Sequence, residues 1–294
     1  MDLKVKIYSA MPPLLKEWMT DGYMALRSFR ESRAMRSAKN VGRVVAKPRV
    51  VYLSGFPRSG TTMLKYYFGD YPGLEQTSFN PVGFFRAWNL SKGRDGILVD
   101  KSNHYIRTLP KIFEAYGRSV RVCIIIRDPR DCIASLVKYQ ENREVPRDER
   151  FWPYWLEVHS GFLDFVEKSE LADCLWMLRY EDLVRYPVEA KTKYLEWVGL
   201  EIDSEEVSNE YTNQNPNESW DDSVHHRREV TDYALQKWNN ETDYPDWAKK
   251  LLSSWKDGGE TEEMMSLFGY NEEGFAARAD FDGGKGTFFQ PAER

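Results

Sequence analysis

Cysteine is scarce in this chain: three residues in 294, Cys123, Cys132 and Cys174. An odd, widely spaced set argues against a disulfide framework, and no spacing matches a metal site. Cys123 and Cys174 fall in expected strands and read as small core residues. Long apolar runs are missing as well. The longest strong one, residues 120–126, is broken by Arg121 and falls far short of the roughly 18 residues a membrane span needs. The opening Met1-Asp-Leu-Lys-Val-Lys lacks the continuous apolar core of a secretory signal. The expectation is a reducing, cytoplasmic setting without a transmembrane segment. Histidine is rare too, with four copies: His104, His159, His225 and His226. His225 and His226 are adjacent, face different ways on a helix and have no Cys or third His beside them, so no metal is expected.

What is present suits a folded α/β protein. Apolar residues make up 41% of the chain, and ten Trp, seventeen Tyr and fifteen Phe supply ample core material. Charge is uneven. Residues 1–49 hold eleven Lys or Arg against four Asp or Glu, a balance of +7, so the remainder carries −12 of the total −5. A basic segment suits a membrane surface or nucleic acid, whereas its ordinary reading is a solvated helix face packed on the domain. No nucleic-acid partner is expected, and oligomeric state is not legible.

Residues 13–40 place Leu14, Leu15, Trp18, Met19, Met24, Leu26 and Phe29 at an imperfect helical period, closed by Pro48. Four short apolar runs follow, at 50–54, 97–100, 120–126 and 174–180, and read as buried parallel strands. Helical stretches alternate with them at 130–139, 151–166 and 187–197, the last opening on Pro187 and stopping at Gly199. Alternation of this kind predicts an α/β fold, an open and mainly parallel sheet with helices on both faces. Further helices are expected near 204–211, 246–255 and 260–268, giving a helical C-terminal part. The domain division is then 1–48 as an N-terminal helical segment, 49–275 as the main domain, and 276–294 as a tail, read as a loose arm.

The most informative stretch is Val50-Val-Tyr-Leu-Ser-Gly-Phe-Pro-Arg-Ser-Gly-Thr-Thr-Met63. It reads as strand, tight loop and helix, which points backbone N–H groups and a positive helix end at one spot and favours an anion. The GxxxxG of a P-loop is there, but no Lys follows Gly60. A cation, Arg58, precedes it instead, with Ser59, Thr61 and Thr62 beside the helix start. The plain alternative is a strand–helix turn carrying a surface arginine. A second strand with a cation at its tip, Arg127, is followed by Asp-Pro-Arg-Asp-Cys-Ile-Ala-Ser135 and a proline-led helix. Ligands bind beyond the C-terminal ends of such strands, so Arg127 and Ser135 form a candidate second anion site. The alternative is that Arg127 pairs with Asp128 or Asp131.

Phe56-Pro-Arg-Ser-Gly-Thr-Thr and Ile126-Arg-Asp-Pro-Arg-Asp-Cys-Ile-Ala-Ser135 together resemble the two cofactor motifs of the sulfotransferases that use 3′-phosphoadenosine 5′-phosphosulfate (PAPS). Leu178-Arg-Tyr-Glu-Asp-Leu and Gln236-Lys-Trp-Asn-Asn with Leu267-Phe-Gly-Tyr270 resemble two more of the family's signatures, in the same order, so that the resemblance spans roughly residues 49–270. It implies that Arg58, Ser59, Gly60, Thr61 and Thr62 hold the 5′-phosphosulfate, Arg127 and Ser135 the 3′-phosphate, and that Tyr180 lies near the adenine. Arg227 and Arg228 stand where the family often supplies late contacts. PAPS is then the co-substrate and PAP the product. Two departures stand out: Arg58 replaces the lysine of soluble small-molecule members, and Met63 replaces an aromatic.

Transfer also needs a base within reach of the acceptor. His104, in Asp100-Lys-Ser-Asn-His104 after an expected strand, is the candidate, with Lys101 stabilising charge on the sulfuryl oxygens. The family's histidine position is Asn103 here, so His104 is displaced by one. The alternatives are a histidine hydrogen-bonded to backbone, another carboxylate or histidine as the base, and Lys101 paired simply with Asp100. The aromatics of 84–88 and 151–155 suit an acceptor pocket, though such spacing more often means core.

The combined expectation is metal-independent, in-line sulfuryl transfer to a hydroxyl or amine of a small-molecule or carbohydrate acceptor. A P-loop nucleotide kinase or NTPase, and a non-catalytic nucleotide-binding protein, are the competing readings.

Overall fold

The computed structural model describes residues 47–275, apart from 78–82, 139–144, 214–225, 231–234, 241–242 and 258, together with 287–288. The expected N-terminal helical segment, all but its last two residues, and most of the tail lie outside the described residues.

Among the described residues six parallel strands form one sheet. In chain order they are β1 (Val50–Gly55), β2 (Leu74–Gln76), β3 (Ile97–Lys101), β4 (Val120–Ile126), β5 (Leu175–Arg179) and, after two small hairpins, β10 (Thr287–Phe288). The spatial order is β10-β5-β4-β1-β3-β2. Every residue of β1 and β5 is buried, the mark of strands covered on both faces. Alternate residues feed two cores. Val50, Tyr52, Val122 and Ile124 point into one, and Val51, Leu53, Cys123 and Ile125 into the other.

Helix α1 (Thr61–Gly69) covers the second core with α6 (Tyr180–Arg185) and α7 (Pro187–Val198). On the first lie α2 (Phe84–Ser91), α3 (Leu109–Tyr116), α4 (Pro129–Lys138) and α5 (Phe151–Lys168). The aromatics of α2 and α5 are core: Phe84, Trp88, Phe151 and Trp155 are all buried. The short α8 (Lys237–Asn240), then α9 (Asp246–Ser253) and α10 (Gly259–Leu267), complete the described helices.

From β1 the chain builds outward to β2 and β3 on one side, then crosses to β4 on the other. The crevice between the C-terminal ends of β1 and β4 is therefore the topological switch point, where open α/β sheets bind ligands.

Two expectations fail. The helix near 204–211 is absent. Residues 204–206 form a turn, and β6 (Glu210–Asn213) pairs antiparallel with β7 (His226–Glu229). Tyr67 of α1 explains the choice: its hydroxyl donates to the Ser208 carbonyl at 2.9 Å and its ring meets Tyr211, a tertiary anchor with no local signal. Nor is the tail wholly a loose arm, since residues 287–288 pair with Trp176 and Met177 along the open edge of β5. A last hairpin joins β8 (Tyr270–Asn271) to β9 (Gly274–Phe275).

Candidate anion site at the sheet switch point

The loop after β1 is shaped by two glycines. At Gly55 a Cβ would lie 2.4 Å from the Ile125 carbonyl oxygen and 2.5 Å from Ser59 Oγ, so only glycine lets the loop pass so close to β4. Gly60 has φ +96° and stands as the N-cap of α1. With no side chain there to cap the helix, the first-turn N–H groups are left for an anion. Arg58 also lies in the left-handed region, at φ +74°, a strained setting for a non-glycine residue. Ser59 is fully buried, and its Oγ has no hydrogen-bond partner among the described residues.

The loop after β4 meets this one directly. Arg127 Nη1 donates to the Arg58 carbonyl at 3.0 Å, and Arg58 Nε donates to Ser135 Oγ at 3.0 Å. The expected phosphosulfate and 3′-phosphate residues thus share one edge, with Arg58 and Arg127 side by side. Arg127 also lies 4.3 Å over the Tyr180 ring, and its Nη2 faces Asp131 Oδ2 at 3.7 Å. The ring of Tyr180 fills the space beside Gly60, within 2.8 Å of where a Cβ would sit. Tyr180 therefore supports both the loop and the cation.

The two helices that start here differ. Asp128 caps α4 itself: its Oδ1 accepts the Arg130 amide at 2.9 Å, and its carboxylate grips the Arg130 guanidinium. The α4 terminus is satisfied internally, and what it offers outward is side chains, Arg127 and Ser135. The α1 terminus offers backbone. Thr61 and Thr62 occupy its first two positions, Thr62 half-buried.

The segment after β3 closes the third side. Tyr52 pairs with Asp100 and Leu53 with Lys101 across the sheet, and the Ser102 amide donates to the Leu53 carbonyl. Ser54 Oγ donates to the Ser102 carbonyl and accepts the Ile106 amide, tying residues 102–106 to the end of β1. Thr61 Oγ1 then donates to Asn103 Oδ1 at 2.9 Å. Asn103 therefore reaches the loop, and His104, half-buried, follows it at the start of a short 3-10 turn.

Asp100 is held from the other side of the segment. Its carboxylate accepts the hydroxyls of Thr77 and Tyr105. Lys65 of α1, 1% exposed, donates to the Thr77 carbonyl at 2.8 Å and hydroxyl at 3.1 Å. Burial brings its ammonium pKa down to about 8, partly offset by Asp100 and reinforced by Lys101. His159 lies in the core, where burial holds its pKa near 4 and its ring nitrogen bonds the Trp155 carbonyl, so it serves packing. Arg227 and Arg228 lie on β7 opposite Thr212 and Tyr211. Their side chains, and His225, lie outside the described residues.

Sequence reasoning missed Asn103 as a loop contact, Lys65, and the role of Asp131. Asp131, 1% exposed, accepts the backbone amides of Gln236 at 2.9 Å and Trp238 at 3.3 Å. Burial raises its pKa to about 6, against the pull of Arg127. Glu181, raised by burial to about 7, accepts the Asp128 amide and the Tyr270 hydroxyl. The four sequence signatures therefore meet in one buried polar cluster. Among the described residues there is no metal-binding group of His, Cys, Asp and Glu, and no helix long and apolar enough to cross a membrane.

Residues 74–204 match a family model described as the sulfotransferase family; the match starts after the 55–60 loop. No curated protein matches the chain. Solved structures similar to it include the sulfotransferase domain of the Synechococcus PCC 7002 olefin synthase, at 16% identity and TM-score 0.49, covering 73% of this chain and 98% of that one. Mouse sulfotransferase SULT7A1 complexed with PAP is similar at 15% identity and TM-score 0.48, covering 79% and 92%. A sulfotransferase from Alicyclobacillus acidocaldarius follows at 15% and 0.44, covering 75% and 96%.

Proposed function

We propose, from the match of residues 74–204 to a sulfotransferase family model, that the protein moves a sulfuryl group from PAPS to a hydroxyl or amine of a small-molecule or carbohydrate acceptor. The contact that carries this reading is Arg127 Nη1 on the Arg58 carbonyl, which sets two anion-gripping arginines on one sheet edge. One doubly charged nucleotide can then engage both. The residues present fit such a ligand: among the described residues Ser59 Oγ is buried without a partner, Gly55 and Gly60 keep the cradle open, and the start of α1 lacks a side-chain cap.

Each residue then has a role. Arg58, Ser59, Gly60, Thr61 and Thr62 hold the phosphosulfate through guanidinium, hydroxyl and backbone N–H donors. Arg127 and Ser135 hold the 3′-phosphate, with Arg227 and Arg228 as further cations. Tyr180 backs Arg127 on the adenine side. PAPS supplies the activated sulfur: the acceptor oxygen or nitrogen bonds to it while the S–O bond to the phosphate breaks, the electron pair leaving on the phosphate. His104 accepts the acceptor's proton, and Lys101 stabilises the charge that builds on the oxygens. Asn103 fixes Thr61, and so keeps the base-bearing segment in register with the loop. The chemistry is positioning and charge stabilisation, as in phosphoryl transfer, with cationic side chains where kinases use Mg. The cytoplasm is the setting this reading favours.

Thermal shift tests it. A ligand that binds the native state raises Tm, and 3′,5′-ADP is expected to stabilise the protein in EDTA while 5′-AMP does so far less. Equal shifts from the two would defeat the 3′-phosphate assignment. His104→Ala is expected to abolish transfer with labelled PAPS and leave 3′,5′-ADP affinity within about twofold. Full activity in that variant moves the base elsewhere.

A further inference from the structure

The turn that carries the proposed base also carries a cation. His104 is the N-cap of the 3-10 turn Tyr105–Arg107, and its carbonyl accepts the Arg107 amide at 3.2 Å. Residues three apart eclipse one another in such a turn, so the side chains of His104 and Arg107 stand on one side of it, roughly 6 Å apart along its axis. Arg107 is exposed, with 45% of its side chain open to solvent.

Helix α5 orients this guanidinium. Its Cζ lies 5.4 Å from the centre of the Tyr154 ring, and its Nη2 meets Glu157 Oε1 at 3.2 Å. Tyr154 is half-buried, and its ring lies 5.5 Å from that of Phe56, the residue between Gly55 and Pro57 in the loop assigned to the phosphosulfate. Base, aromatic surface and cation therefore stand together on the β3 side of that loop. Among the described residues Glu157 is the one ionised partner of Arg107, and it is 66% exposed. A pair so open to water is weak and screened by salt, and it engages one of the five guanidinium donors. An anion presented beside the Tyr154 ring can share the guanidinium with Glu157 or displace it, and the bound molecule shields that contact from water.

We infer that Arg107 reads the acceptor, and that the acceptor carries an anionic group, a carboxylate for instance, roughly 6 Å from the hydroxyl or amine that takes the sulfuryl group. This rests on the functional reading above and narrows it. A ring or other flat spacer between the two groups lies against Tyr154. Arg107 is then a specificity residue. It selects the acceptor, has no part in holding the nucleotide, and leaves proton removal to His104.

The experiment uses the full chain saturated with 3′,5′-ADP and three probes of similar size: 4-hydroxybenzoate, neutral 4-hydroxybenzamide and cationic 4-(aminomethyl)phenol. Kd is read by NMR titration, which needs no turnover. The parent is expected to bind the acid about tenfold tighter than the amide or the amine. Arg107→Gln should bring acid and amide within twofold of each other, Arg107→Lys should keep part of the gap, and about 0.5 M salt should shrink it. Glu157→Gln removes the competing carboxylate and should tighten the acid further. Arg107 is exposed, so these replacements leave the core intact. The inference is overturned if the parent binds none of the three, shows no preference, or prefers the amine, which would make Glu157 the reader. A preference that survives in Arg107→Gln overturns it as well. A parent that binds 3′,5′-ADP no more tightly than 5′-AMP overturns the functional reading and this inference with it. An intact 3′,5′-ADP preference without the acid preference overturns the inference alone.

Discussion

Replacing Gly60 with alanine strains the site in two separable ways. The backbone at φ +96° lies where an L side chain costs roughly 1–2 kcal/mol. The new methyl would also lie 2.7 Å from Cδ2 of Tyr180, about 1 Å inside van der Waals contact, an overpacking worth roughly 1–3 kcal/mol. The two together give about 3 kcal/mol. At the 2–4 °C per kcal/mol typical of larger domains, Tm falls by roughly 6–12 °C. The ring has little room to retreat, because it is buried and carries the Arg127 guanidinium at 4.3 Å. Urea unfolding of Gly60→Ala, Tyr180→Leu and the double variant isolates the clash. The double variant should be more stable than the sum of the single losses by about 1–2 kcal/mol, with the backbone cost remaining. Additive losses would show that the methyl and the ring do not meet, and a Tm change below about 1 °C would refute the left-handed cap itself.

Two further expectations concern buried ionisable groups. Lys65 has a folded pKa near 8 against 10.5 unfolded, so the unfolded chain holds more protons between those values and stability rises with pH across that window. Lys65→Met should flatten the rise in unfolding free energy between pH 8 and 10, and an unchanged slope would place the ammonium in water. Glu181 is shifted the other way, to about 7 from 4.5, so the folded chain holds the extra proton and this group's contribution falls as pH climbs from about 4.5 to 7. At about 1.4 kcal/mol for each pH unit the full loss is up to about 3 kcal/mol, and Glu181→Gln should shrink the stability difference between pH 5 and pH 8. A larger difference in the variant would contradict the shift.

Most of the sheet could be read ahead because parallel strands covered on both faces leave continuous apolar runs, as at 50–55 and 120–126. Hairpin residues 210–213, Glu-Tyr-Thr-Asn, leave no such run, and what makes them a strand is Tyr67 far upstream. Arg58 and Arg127 were legible as cations at strand tips, where the fold class alone says a ligand goes. The Thr61–Asn103 bond was not, because it depends on the register of β1 against β3, which brings together residues 42 apart. Lys65 was hidden for a different reason. It stands inside an apolar helical stretch, and its ammonium donates to Thr77, which nothing in the local sequence announces. Asp131 looked like a rival partner for Arg127, and only the arrival of 236–238 shows what else it binds.

The short strand at 287–288 has an outcome beyond topology. It pairs with Trp176 and Met177, where β5 would otherwise end the sheet with its amides and carbonyls bare. A chain truncated after residue 275 keeps every residue placed at the nucleotide site yet exposes a sticky border that recruits strands from other molecules. Shortened versions of this protein should therefore self-associate through β5, and a fusion partner is better joined at the opposite terminus.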